Sequence, residues 1–412
     1  MLTNKELFHS LSDPVPPLRR DIQIIPIEDK GKNLLYFHDS MGYLSENFAL
    51  DAGVQSLLQM FNGNLSIEQI HNEIDGNIGI EQLLDFVQLM DQHRTLQSEY
   101  FHFFADKVED DFEKSQTRPP VLAGESYPQD PSELNSFVAD MISDNGKADT
   151  NKIHALYAPH IEISVGRKQY GQAFAHLKKA EPKRVIILAT SHYAEYYYKY
   201  YDGYPFIGST KTFQMPGRAL SPDLDVIQSL SEKNPENGFT VKDRAHRIEH
   251  SIEFHLLFAS AIWTHDFKII PILVSSFDDL YYMEDGDLAQ RIDTFSTQLK
   301  SFVDDNTMIL ISGDLSHVGQ KFGDRETAAD LREKVEGSDK QLLDISVSGN
   351  PQNLLNHLKK DYDSTRICGF PPLFTYLKMF PDQKGDLLNY YWWDEKERNS
   401  AVSFGSILYE SE

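Results

Sequence analysis

The chain has 412 residues, enough for two or three domains of about 150 residues each. Hydrophobic residues make up 40% of the sequence and aromatic residues 12%, so the chain can bury a sizeable core and is not a wholly disordered protein. The 63 acidic residues outnumber the 39 basic ones. The resulting net charge of −24 argues against binding to nucleic acid or to an anionic membrane surface.

Three features predict the cellular compartment. The sequence has one cysteine, Cys368, which excludes an intramolecular disulfide and indicates a reducing environment. The first residues lack the apolar run of a secretory signal. No stretch approaches the roughly 18 consecutive apolar residues that a membrane span needs. We therefore expect a cytoplasmic protein.

Residues 1–105 are predicted to form a small α+β module. Residues 22–27 and 34–37 have the composition of two short strands, and Ser66 and Gln69 form a capping box at a helix start. This segment resembles the PqqD-like fold, a winged-helix module that recognises precursor peptides. A plain winged-helix domain for docking or dimerisation is the alternative.

Residues 106–118 are charged, poor in large apolar side chains and followed by two prolines, so they are predicted to be an acidic linker into which a solvated helix end runs. From 119 to 412 apolar strands alternate with helices, the first of which Asp130 caps. Continuous apolar runs are typical of strands covered on both faces, and five of them are present, at residues 153–158, 185–189, 267–274, 308–312 and 402–408. The prediction is an α/β domain with a layered sheet covered by helices.

Polar residues follow three of these predicted strands. His160 follows the first strand, His192 the second, and Asp314 with His317 the fourth. Because ligands of open α/β sheets bind at the carboxyl ends of strands, we expect these side chains to lie together. Cys368 precedes a predicted helix, whose N-terminus would stabilise a thiolate, a soft metal ligand. The alternative for Cys368 is a small buried hydrophobic residue.

One short segment is the densest polar cluster of the sequence. His246 and His250 are four residues apart, as are Glu249 and Glu253, so each pair is predicted to share a helix face. His246-Arg-Ile-Glu-His250 also matches the H-x-x-E-H signature of one class of zinc proteases. We favour another role, in which the residues of this segment, Glu249 included and His250, Glu253 and His255 above all, hold metal-ligating histidines by hydrogen bonds, because the strand-end histidines already supply ligands.

The chain from about residue 118 to 412 resembles the Memo family, whose prokaryotic members are often labelled AmmeMemoRadiSam system protein B. The matching motifs occur in the family's order and are Arg118-Pro-Pro-Val-Leu-Ala-Gly-Glu-Ser-Tyr-Pro128, Ala158-Pro-His160, Thr190-Ser-His-Tyr193, Glu249-His-Ser-Ile-Glu-Phe-His255, Ile270-Pro-Ile-Leu-Val274, Ser312-Gly-Asp-Leu-Ser-His317 and Ile367-Cys-Gly369. The family's fold resembles that of class III extradiol dioxygenases, which hold a non-haem iron at the carboxyl edge of their sheet.

The resemblance assigns metal ligands. It implies that His160, His192 and Cys368 bind a metal ion, with iron favoured and copper or zinc as alternatives. Asp314 and His317 match the family's D-x-x-H segment. The resemblance also implies a partner from a radical-SAM system.

The favoured functional hypothesis is a metal-dependent redox enzyme that acts on a peptide or a small aromatic substrate. Two histidines and a cysteine leave coordination positions open, and a thiolate would lower the metal's reduction potential, which argues against ordinary catechol cleavage. His317, oriented by Asp314, would move a proton. A second hypothesis is a non-catalytic peptide-binding or scaffold protein with a vestigial metal site. A third is a zinc protease that uses His246, His250 and Glu249.

Overall fold

The structure is a computed structural model that describes residues 5–45, 48–74, 78–143 and 153–410. The chain divides into two compact units, Met1–Lys114 and Ser115–Glu412. In the described ranges, no helix combines the length and the apolar character that crossing a membrane requires.

The first unit contains a three-stranded antiparallel sheet in its described residues. Its elements are β1 (Ile22–Asp29), β2 (Lys32–Asp39), β3 (Ala49–Asp51), α1 (Gln55–Leu58), α2 (Ile67–Glu73), α3 (Ile80–Gln92) and α4 (Glu99–Lys114). The predicted capping box is present at α2, where the Ser66 hydroxyl accepts the Gln69 N–H and Gln69 accepts the Ser66 N–H. Apolar side chains of β2, α2 and α3 meet in one core.

Most of the predicted linker is helical. Helix α4 extends to Lys114, so the expected helix end covers residues 106–114. One face of this helix is apolar, since Phe101, Ala105 and Phe112 are buried, and that spacing keeps the charged segment helical. Whether the first unit is a winged-helix or PqqD-like module stays a prediction.

The second unit is built on a large mixed sheet. Its strands are β4 (Thr117–Arg118), β5 (Ile153–Ala158), β6 (Arg184–Thr190), β7 (Phe206–Gly208), β8 (Thr212–Met215), β9 (Arg218–Leu220), β10 (Phe239–Thr240), β11 (Lys268–Val274), β12 (Thr307–Ser312), β13 (His317–Gly319), β14 (Gly385–Glu395) and β15 (Ser400–Glu410). Within the described residues, nine strands form one sheet in the order β10-β7-β11-β6-β12-β5-β15-β13, with β14 paired to β15. Strands β4, β8 and β9 form a separate small sheet.

Helices cover both faces of the large sheet. They are α5 (Pro131–Ser143), α6 (Ile163–Phe174), α7 (Tyr198–Tyr201), α8 (Leu224–Ser231), α9 (Ser251–Ile262), α10 (Asp287–Lys300), α11 (Ala328–Ser348), α12 (Pro351–Leu358) and α13 (Phe370–Met379). Along β6, Val185 and Ile187 pack into a core with α5, α6 and α9, whereas Ile186 and Leu188 pack into a second core with α8 and α10 to α13. The predicted α/β architecture is therefore confirmed.

The strand order explains why distant residues meet. Strands β6, β12 and β5 are neighbours and run parallel, so their carboxyl ends lie at one edge of the sheet. All five predicted strands are present, although β15 pairs antiparallel with β5 and extends beyond the predicted residues 402–408. The same edge receives His160, His192 and Asp314, each within two residues of a strand end.

Candidate metal centre

Three predicted ligands, His160, His192 and Cys368, come together at this edge. One ligand atom from each lies within 4.8 Å of the others, and Cys368 Sγ is 3.3 Å from His160 Nε2. His160 is buried, whereas His192 and Cys368 are half-buried. Metal bonds of about 2.0–2.3 Å place two ligands of one ion roughly 3.5 Å apart, so this spacing suits a single metal ion.

Ser312 sets the tautomer of His160. The Ser312 hydroxyl donates its proton to the Ser251 carbonyl at 2.7 Å, so its oxygen must accept at His160 Nδ1, 3.1 Å away. The proton of the neutral imidazole is then on Nδ1, and Nε2 keeps a lone pair facing Cys368. Burial, with the neighbouring His192, lowers the pKa of His160 well below its ordinary value, so the ring is neutral at pH 7.

Glu249 fixes His192 in the same way. Its carboxylate accepts the His192 Nδ1–H at 2.9 Å and the His192 backbone N–H at 2.7 Å. Burial alone would lower the pKa of His192, but the charge of Glu249 and a hydrogen bond with Cys368 outweigh burial and raise it well above its ordinary value. Burial likewise opposes the ionisation of Glu249, yet the proximity of His192 lowers the pKa of Glu249 to about 2. His192 therefore points Nε2 at Cys368 and must release a proton there to bind a metal.

Cys368 is held by the backbone around it. It stands directly before Gly369, the N-cap of α13, as the sequence predicted. The Asp314 N–H points at its sulfur at 3.4 Å, and the Thr190 hydroxyl donates to its carbonyl at 2.7 Å. A Cβ added to Gly313 would overlap the backbone of Gly369, so glycine is required for this close approach of two segments. The expected stabilisation of the thiolate is wrong for the metal-free protein, because burial raises the pKa of the Cys368 thiol.

The predicted pairing of Asp314 with His317 is also wrong. Asp314 instead accepts the His160 backbone N–H at 3.0 Å, and His317 Nδ1 donates to the carbonyls of Leu315 and Arg366, both at 3.0 Å. Backbone carbonyls therefore orient His317, and its Nε2 has no hydrogen bond to the described residues. Burial raises the pKa of Asp314 to about 7, whereas burial and the nearby His192 lower the pKa of His317 to about 4. One ligand-type atom from each of these two residues and from Cys368 lies within 4.8 Å of the others.

Two of the residues predicted to support the ligands contact the site differently from expectation. The ring of His250 stacks on His192 with centroids 5.0 Å apart and lies 5.5 Å from that of His160, so it lines the site directly. His255 Nε2 donates to the carbonyls of Ala158 and Pro159 at 3.2 and 3.1 Å. It therefore fixes the end of β5 just before His160 rather than the imidazole itself.

The third supporting residue, Glu253, has another role. Its carboxylate forms a buried ion pair with Arg118 and accepts the Tyr127 hydroxyl at 2.6 Å and the backbone N–H groups of Val121 and Leu122. The prediction that Glu253 holds a ligating histidine is wrong. Its partners all belong to the segment that enters the second unit, so Glu253 anchors that segment.

The H-x-x-E-H segment does not form the predicted helix face. A short 3-10 helix ends at His246, and α9 begins only at Ser251 with His250 as its N-cap. His246 Nε2 lies 2.9 Å from the Ile207 carbonyl, where its ring is buried. The two histidines of the motif are thus engaged separately, and the geometry does not support a zinc protease.

A cavity of about 470 Å³ opens onto His192 and Cys368. Its wall includes a turn that precedes the cysteine, in which Tyr362, Asp363 and Arg366 have φ values of 57°, 50° and 59°. Left-handed backbone is uncommon for residues other than glycine and concentrates at functional sites. The cavity therefore provides space for a substrate beside the candidate metal ligands.

Comparison with known proteins identifies the family. The family model described as Memo-like protein matches residues 118–408. The chain belongs to the Memo family. A MEMO1 family protein of Aquifex aeolicus is 25% identical over 400 residues, which cover 95% of this chain and 99% of that protein. A MEMO1 family protein of Thermus thermophilus is 27% identical over 354 residues, covering 83% and 98% of the two chains.

Two further matches complete the comparison. A MEMO1 family protein of Methanosarcina barkeri is 25% identical over 299 residues, covering 71% of this chain and 100% of that protein. The solved structure of an uncharacterized protein from Escherichia coli K12 is 13% identical and covers 62% of this chain and 99% of its own, with a TM-score of 0.38. This score is too low to establish a common fold. The Aquifex match is long enough to include the first unit of this Memo-family chain.

Sequence reasoning missed residues that orient the ligands. Ser312 and Thr190 are the last residues of apolar strands, and neither was predicted to support a ligand. For Glu249, the favoured role of its segment, to hold a ligating histidine by hydrogen bonds, agrees with its contacts to His192. All three lie within the motifs that resemble the Memo family. Position at a strand end was the available signal, because a polar residue there can reach a ligand on a neighbouring strand.

Proposed function

We propose that this Memo-family chain is a metal-dependent redox enzyme in which His160, His192 and Cys368 hold iron beside a cavity for a peptide or small aromatic substrate. One observation carries the proposal. Ser312 and Glu249 engage the Nδ1 atoms of the two histidines, so both Nε2 atoms are directed at the cysteine sulfur. A site without a ligand would not require that orientation of both rings.

The chemistry of the donors fits a transition metal. Two imidazole nitrogens and a thiolate suit iron, copper or zinc, and three protein ligands leave positions open for substrate or oxygen. Resemblance to the scaffold of class III extradiol dioxygenases favours iron. When bound, such a metal supplies electron transfer with the substrate.

His317 and Asp314 supply proton transfer in this proposal. His317 is neutral at pH 7, since its pKa is about 4, and its free Nε2 can accept a proton from a substrate in the site. Asp314, whose pKa is about 7, can give or take a proton at the same pH. Its hydrogen bond from the His160 backbone keeps this carboxyl next to the ligands.

The test compares metal content with redox activity. The full chain is prepared without oxygen, supplied separately with iron, copper and zinc, and assayed for bound metal and for oxygen consumption with a reductant. We expect about one iron per chain in the wild type and its loss in Cys368→Ser. His317→Ala should keep the metal but lose oxygen consumption, because it removes a proton acceptor and no ligand.

Two results would contradict the proposal. Binding of zinc to the exclusion of iron and copper would remove the redox function. Iron that binds but neither changes oxidation state nor consumes oxygen with any reductant would favour the non-catalytic scaffold protein.

A further inference from the structure

The cavity beside Cys368 has an acidic and aromatic wall. The carboxyl groups of Glu195, Asp278 and Asp363 line it. Arg366 is the one lysine or arginine among the described lining residues, and its guanidinium already pairs with Asp324 at 2.5 Å. His192, whose raised pKa makes it cationic, also lines the cavity but pairs with Glu249. The wall therefore presents more unpaired negative than positive charge to a molecule in the cavity.

Asp363 is the carboxyl group of the wall that stands closest in the chain to Cys368, and Tyr281 of the same wall makes a side-chain hydrogen bond to it. Both of its oxygens lie within hydrogen-bond distance of the Ile367 N–H, at 2.9 and 3.1 Å, which fixes Asp363 relative to the adjacent Cys368. Burial, followed by repulsion from Asp278 and Asp361, raises the pKa of Asp363 to about 7. A positive charge beside Asp363 would offset that repulsion, whereas a negative charge would increase it.

Aromatic rings border the same cavity. Tyr281 and Tyr362 belong to its lining, and Tyr362 stacks on Tyr282 with ring centroids 5.2 Å apart. Tyr362 and Tyr282 are 56% and 74% exposed, so their faces are accessible to a ligand. Tyrosine faces attract cations and pack against other aromatic rings.

We propose that this cavity binds a protonated amine carried by an aromatic substrate, with Asp363 as its counter-ion. This proposal rests on the proposed function, because it takes the ligand to be the substrate of the site at His192 and Cys368. A substrate carboxylate at the same place would face three like charges, whereas the two cationic side chains of the wall, His192 and Arg366, already pair with Glu249 and Asp324. Charge and aromatic lining together thus select an aromatic amine over an aromatic acid.

The test uses three probes that share a phenyl ring and differ in charge: phenethylamine, hydrocinnamate and hydrocinnamyl alcohol. Affinities are measured by calorimetry on the metal-free full chain at about pH 8, where the amine and Asp363 are both charged. Phenethylamine should bind about tenfold tighter than the alcohol, as expected for a charge-assisted hydrogen bond. Hydrocinnamate should bind more weakly than either.

Two substitutions in the cavity wall and one control locate the interaction. Asp363→Asn keeps an oxygen that can accept the Ile367 N–H, and it should weaken phenethylamine binding about tenfold while leaving the alcohol unchanged. Asp344→Asn is the control, since this exposed residue of α11 is not among the residues that line the cavity. It should change the affinity less than about twofold. Asp278→Asn, on the cavity wall, should cause a smaller loss for the amine alone.

Equal affinities for the three probes, or tighter binding of hydrocinnamate, would overturn the proposal. So would an Asp363→Asn variant that weakens the amine and the alcohol equally. Because the probes are measured without metal and metal content is measured separately, failure of the metal site and failure of amine binding give different results.

Discussion

Replacing Ser312 with alanine should weaken metal binding although Ser312 is not itself a ligand. The Ser312 side chain is fully buried, donates to the Ser251 carbonyl and accepts the His160 Nδ1–H. In Ser312→Ala, both partners lose a hydrogen bond, and the imidazole is free to carry its proton on Nε2. That tautomer has no lone pair facing Cys368.

The size of the effect follows from these contacts. Leaving a buried polar group without its partner costs about 1–3 kcal/mol, so the free energy of unfolding of the metal-free protein should fall by that amount. Loss of a residue that orients a metal-bound histidine typically reduces metal affinity about 10–100-fold. Urea denaturation measures the first quantity, and competition with a chelator measures the second.

Ser316→Ala is the matched control for this prediction. Ser316 is equally buried and close in sequence, but its hydroxyl donates to Asp339 at 2.7 Å. This variant should lose similar stability and change metal affinity less than about twofold. If both variants lowered metal affinity equally, or Ser312→Ala left it unchanged, the inferred tautomer of His160 would be wrong.

Three other predictions concern pH, stability and domain structure. Metal affinity should fall up to about 100-fold for each pH unit below 7, because His192 and Cys368 have raised pKa values and each releases a proton on ligation. A series of chelator-competition measurements that showed no pH dependence would refute this. Arg118→Leu should reduce the free energy of unfolding by about 3–5 kcal/mol, since it leaves buried Glu253 without its ion-pair partner. A loss below about 1 kcal/mol in urea denaturation would contradict the role of this ion pair in stability. Limited trypsin digestion should cut after Lys114, where the two units divide, and protection of that bond would indicate one fused domain.

The fold of the second unit was largely predictable from its apolar strands. Strands β5, β6 and β12 were predicted because continuous apolar runs mark strands that are buried on both faces. The short strands β7 to β10 and β13 have two to four residues each, too few to show a periodic pattern. Strand β14 was missed although its run of tyrosines and tryptophans favours a strand.

The candidate site was predictable where position in a strand decides geometry. His160 and His192 follow neighbouring parallel strands, so topology alone brings them together. The contacts of Glu253 were predicted wrongly, because its four-residue spacing from Glu249 indicated a shared helix face, whereas α9 begins only at Ser251. The partners of a buried carboxylate are set by tertiary contacts, such as the ion pair between Glu253 and Arg118. Spacing in the sequence does not encode such contacts.

The most direct test of the central claim is a comparison of metal affinity between ligand variants and a non-ligand variant. Wild type, His160→Ala, Cys368→Ser and His317→Ala are purified without oxygen, and iron affinity is measured for each by chelator competition. We predict that His160→Ala and Cys368→Ser lose iron binding and that His317→Ala retains it. Loss of iron in His317→Ala with retention in His160→Ala would contradict the ligand assignment and place the metal between Asp314 and His317.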